Sequence, residues 1–114
     1  MRIIKNPVKK SELLEIARDV FGDFVKVVVD LEQKIMAVGG ELHADEEVLL
    51  MEKENSDRQN TWGINIYPEK SKDEWIEFDS MVNLKPALGN RSRDVENPVI
   101  REKIKSIIQE LVID

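Results

Sequence analysis

The chain has 114 residues, carries a formal net charge of −6, is 41% hydrophobic and 35% charged, and contains no cysteine. A length of this order allows one small domain with a single core of modest size. The missing thiols exclude disulfide scaffolds, thiolate zinc sites, iron–sulfur clusters and cysteine nucleophiles. The acid excess opposes a nucleic-acid coat or an anionic-membrane binder, so neither is expected as a partner. No apolar run approaches the ~20 residues that span a bilayer. Met1 to Pro7 holds no apolar signal core, which makes the cytoplasm the expected location.

Arg2 to Lys5 predicts a short edge strand, ended by Asn6 and Pro7. Leu13, Leu14, Ala17 and Phe21 then fall on one helical face. Gly22 suits the left-handed position that closes such a helix. Phe24, Val28, Leu31, Ile35 and Val38 recur at intervals of three and four, which predicts a second helix. The β-branched run Val27 to Val29 pulls the other way, towards a strand. Gly39 and Gly40 end the segment.

Leu42 to Met51, Thr61 to Tyr67 and Trp75 to Leu84 predict three strands. Trp62, Ile64 and Ile66 alternate with Gly63 and Asn65 as a half-buried strand does. Short polar connections make the three an antiparallel meander. Pro86 to Glu96 is the longest irregular segment. Asn97 and Pro98 then open a helix whose apolar stripe is Ile100, Ile104, Ile107, Ile108 and Leu111. The expected architecture is one α+β domain over residues 1–114. It has two layers: a three-stranded antiparallel meander, joined by the short N-terminal strand, against about three helices.

Four stretches, Gly39 to Glu47, Trp62 to Pro68, Glu77 to Met81 and Gly89 to Arg93, resemble a family of small bacterial and archaeal proteins classed as a domain of unknown function. The resemblance runs over nearly the whole chain and includes the final helix. It implies single-domain cytoplasmic proteins and brings no activity, substrate or cofactor.

Two constellations carry possible chemistry. In an extended segment His43, Asp45 and Glu47 would point to one face. One imidazole and two carboxylates there would suit a divalent metal with mixed nitrogen and oxygen ligands. Asn65, Glu77 or Asp79 could add to them from neighbouring strands. Such a cluster is what a metal-dependent hydrolase or phosphodiesterase needs to hold cations and orient water. The single histidine excludes a two-histidine zinc site.

The second constellation is Gly89 to Arg93. Asn90 favours a turn, and the forks of Arg91 and Arg93 match carboxylate or phosphate. The Asn97 helix start adds free N–H groups nearby. With Asn65 and Asp79 on the sheet face, these residues form a candidate ligand-binding set. No complete catalytic signature accompanies either group. The leading expectation is therefore a binding or regulatory module. It would recognise a protein or a small anionic ligand through a charged sheet face and the 86–96 loop. A metal-dependent hydrolase centred on His43, Asp45 and Glu47 is the alternative.

Overall fold

A computed structural model describes residues 1–114. Arg2–Ile4 forms β1 and Val8–Lys9 forms β2, on either side of the Asn6–Pro7 break. The first helix, α1, spans Lys10–Val20 and buries Leu13 and Ala17. Gly22 follows it with φ 101°, the left-handed geometry expected after a helix end.

The helix expected over Phe24 to Val38 is instead a hairpin of β3, Val25–Asp30, and β4, Ile35–Val38. A strand alternates its faces, so residues buried on both sides can mimic helical spacing. That is the case here, since Val27 to Asp30 and all of β4 are buried. The turn is specified locally. The Asp30 carboxylate accepts the Glu32 and Gln33 N–H groups at 2.9 and 3.1 Å, and Lys34 adopts φ 57°.

Leu42 to Met51, expected as a strand, belongs to the second helix, α2, over His43–Glu54. β5 spans Thr61–Ile66, as the alternation predicts. β6 is limited to Ile76–Glu77, because the chain turns into a short 3₁₀ helix at Met81–Asn83. The third helix, α3, spans Pro98–Leu111. Its start is capped by Asn97, whose Oδ1 accepts the Val99 N–H at 2.8 Å. β7, Val112–Ile113, pairs in parallel with β2.

The main sheet has the order β1-β4-β3-β5-β6 and is antiparallel throughout. The α+β class, the antiparallel sheet and the number of helices are as the sequence indicates, although only α1 and α3 fall where expected, and the sheet has five strands. One face, carrying Val27, Val29, Met36 and Ile64, packs on α1 and on the Ile104, Ile107, Ile108 and Leu111 stripe of α3. The other face carries Val28, Ile35 and Ala37 and packs on Leu50 of α2 and on Val82. The expected single helical layer is therefore joined by a second, α2, across the sheet. No helix is long and apolar enough to cross a membrane.

Ile104 is fully buried where α3 meets the sheet. Ile104→Ala is expected to cost ~2–5 kcal/mol, a large share of a small domain's stability. Urea unfolding measures this, and an unchanged midpoint would contradict the packing.

Candidate functional site

The helix α2 is inverted in polarity. Its buried stripe is His43, Glu46, Glu47 and Leu50, while Val48 and Met51 face outwards. Each helical residue turns by about 100°. His43 and Glu47 therefore share the inner face, and Asp45, half a turn away, is exposed. The expected single exposed face for His43, Asp45 and Glu47 does not form, because it required an extended backbone. None of the three lines any of the main clefts.

Each inward polar group is held by a specific partner. The His43 Nε2 lies 2.8 Å from the Ile64 carbonyl. A carbonyl only accepts, so Nε2 carries the proton. Burial lowers the His43 pKa, opposed by that carbonyl, and keeps the ring neutral. The Glu47 carboxylate accepts the Thr61 hydroxyl at 2.7 Å and lies 3.6 Å from the Arg58 Nε. Glu46 Oε2 accepts the Gly40 N–H at 2.9 Å, while its Oε1 is buried without a partner. A Cβ on Gly40 would sit 2.9 Å from the Glu46 Cγ, so this close approach needs glycine.

Beside α2, the sheet and the loop bring together residues drawn from both candidate groups. The Asn65 Nδ2 donates to Glu77 Oε1 at 2.8 Å, and the Tyr67 hydroxyl reaches the same oxygen at 3.5 Å. The Arg93 Nε donates to Asp79 Oδ1 at 2.7 Å. Asn65 also stands next to the His43 ring; its Nδ2 reaches the Asp79 carbonyl at 3.4 Å, and its Oδ1 is buried without a partner. His43, Asn65, Asp79 and Arg93 thus form one array. It runs from the buried start of α2 to the solvent edge of β6.

Asn90 and Arg91 have different roles. Asn90 is buried, and its Nδ2 donates to the carbonyls of Asn83 and Asp94 at 2.7 and 2.8 Å. Its Oδ1 accepts the Glu96 N–H at 2.9 Å, so the side chain holds the loop rather than presenting itself to a ligand. The Arg91 backbone N–H donates to Glu96 Oε2 at 2.9 Å, while its side chain is exposed and enters no ion pair.

Three residues outside the sequence candidates prove central. Asn83 pairs with the Gly63 backbone in both directions, accepting its N–H at 2.7 Å and donating to its carbonyl at 2.9 Å. Lys85 is buried, with Nζ donating to the Val82 carbonyl at 2.9 Å and lying over the Trp62 ring. Burial lowers its pKa. Glu46 could have been found by reading 43–50 as a helix. Asn83 and Lys85 have no local signal.

An antiparallel sheet with helices on both faces, and a polar array between α2 and a pinned loop, defines a small α+β domain with an ordered charged surface. The chain belongs to the family described as Protein of unknown function (DUF5674), which matches residues 2–111. No curated protein and no solved structure matches it.

Burial pushes the Glu46 carboxyl up to about 9 from 4.5. The folded chain therefore holds the proton while the unfolded chain releases it. The stabilisation from protonated Glu46 is complete below 4.5 and lost as pH rises towards about 9. At ~1.4 kcal/mol per unit, this is on the order of 6 kcal/mol across that range. Glu46→Gln is expected to abolish this alkaline loss in urea unfolding. The opposite loss, below the ordinary histidine pKa of 6.5 where His43 must charge, should stay. Parallel curves for the two proteins above neutral pH would contradict the buried acid.

Proposed function

We propose that this protein is a binding or regulatory module that recognises an anionic group through the 86–96 loop and the adjoining edge of the sheet. The observation that carries this reading is the contrast between the loop's fixed backbone and its exposed charge. Asn90 and Asn83 satisfy the loop from inside, and the Asn83 Nδ2 also reaches the Arg93 carbonyl at 3.0 Å. The charged ends of Arg91, Arg93, Asp79 and Glu77 lie outside or at the edge of the array. Binding residues are disproportionately carried by surface loops that a rigid scaffold positions. Because this loop is already ordered, little conformational entropy is lost when a partner docks.

Within that surface Arg93 is matched by Asp79, and Arg91 is the cation with no carboxylate of its own. Its planar fork suits phosphate or carboxylate. The metal-hydrolase alternative draws no comparable support. It rested on a common face for His43, Asp45 and Glu47, and that face is absent.

Inorganic phosphate, titrated into the protein while its amide resonances are followed, tests the reading. Saturable shifts are expected over residues 86–96 and should be lost in Arg91→Ala. Since the Arg91 side chain is exposed and enters no ion pair, Arg91→Ala should leave the unfolding midpoint unchanged. Equal shifts in both proteins, or none in either, would remove Arg91 from the site.

A further inference from the structure

A charged groove with aromatic lining lies elsewhere, between the outer flank of α3 and the segment 72–78. It encloses about 590 Å³ and is floored by Trp75, Ile76 and Phe78. That volume falls within the range of sites that take small molecules. Three cations, Lys72, Arg101 and Lys105, line it against two carboxylates, Asp73 and Glu102. A fourth cation, Lys10, places its Nζ 5.8 Å from the centre of the Trp75 ring. Among the lining residues the cations outnumber the carboxylates by one, in a chain whose net charge is −6.

Arg101 is preorganised. Its Nε donates to the Val95 carbonyl, its Nη2 to Asp94, and its guanidinium lies 4.6 Å from the centre of the Phe78 ring. Those bonds leave the Nη1 hydrogens without an acceptor and fix where they sit. Lys105 and Lys72 are held only by exposed pairs, with Glu102 at 3.5 Å and with Asp114 at 3.3 Å. Such pairs exchange at little cost for a stronger anion. Aromatic floor, fixed guanidinium and two movable ammonium groups together match a ligand with a planar ring and an attached anion. The other two clefts lack this combination. One mixes Lys34 and Lys103 with three glutamates and has no aromatic wall, and the other has Glu96 as its only charged lining residue.

We propose that this groove binds a small anionic compound bearing a planar ring, the chemistry of a nucleoside monophosphate. The site is separate from the Arg91 surface and does not depend on it.

The test is an amide-resonance titration of the full chain with AMP, with adenosine and inorganic phosphate as the two half-ligands. AMP is expected to give saturable shifts at Ile76, Phe78, Lys105 and Gln109, with each half-ligand binding more weakly. The double variant Lys72→Glu, Lys105→Glu should weaken AMP at least ~10-fold with an unchanged unfolding midpoint. Arg91→Ala should bind AMP as the parent does. Absence of saturable shifts at millimolar AMP, or equal affinity in the double variant, would overturn the proposal. Phosphate binding as tightly as AMP would overturn its ring component.

Discussion

The Asn83 side chain takes the place of a strand. At Gly63, the edge of β5 turned away from β3 has no backbone neighbour, and one carboxamide satisfies both its N–H and its carbonyl. An unpaired buried amide would cost about what a lost hydrogen bond costs, and here two are at stake. The contact also explains why position 63 is glycine. A Cβ there would lie 2.5 Å from the Ser80 Cβ, inside the space that the 80–83 turn occupies. Asn83 in turn is held by Asn90 through its carbonyl, and Asn90 orders the loop up to Glu96. The end of the sheet, the turn after β6 and the charged loop are thus one hydrogen-bonded unit. The backbone around Arg91 and Arg93 takes its position from it.

The second constraint is the polarity of α2. A helix that buries a histidine and two glutamates and exposes a valine and a methionine contradicts amphipathic patterning. It persists because the sheet face beneath offers matched partners: the Ile64 carbonyl, the Thr61 hydroxyl and the Gly40 N–H. The exception is Glu46, whose second oxygen finds nothing and whose proton is therefore retained. Departures of this kind, where local rules fail without a gain in packing, concentrate at functional surfaces. Here the departure borders the array that joins His43 to Arg93.

Charge is distributed in the same selective way. The chain is acidic as a whole, yet Arg91 and Arg93 share the 91–93 loop, and Lys72, Arg101 and Lys105 share the groove beside α3. In both, an arginine is immobilised by hydrogen bonds to the chain, Arg93 by Asp79 and Arg101 by the Val95 carbonyl and Asp94. Rigid guanidinium groups at exposed positions supply direction as well as charge, and recognition of anions needs both.

Some elements were legible from the residues alone. The alternation at Thr61 to Ile66 and the Asn97–Pro98 start of α3 are local signals, and local physics decides them. The stripe of Ile104, Ile107, Ile108 and Leu111 needs only one apolar face to meet it, which any sheet supplies. The segment 24–38 was ambiguous because a strand buried on both faces leaves no alternation to read, and its hairpin emerges only when β1 and β5 flank it. For α2 the helical period was present, at His43, Glu46, Glu47 and Leu50. It was hidden because three of those four residues are polar, and polar residues read as exposed until their partners are known. Asp45 fell outside the site because a helix, unlike a strand, turns it about half a turn away from His43. The meeting of His43 and Asn65 with Asp79 and Arg93 was decided by the tertiary structure, since it depends on Asn83 closing the sheet edge from twenty residues along the chain. Hydrogen bonds over such separations leave no periodicity in the sequence.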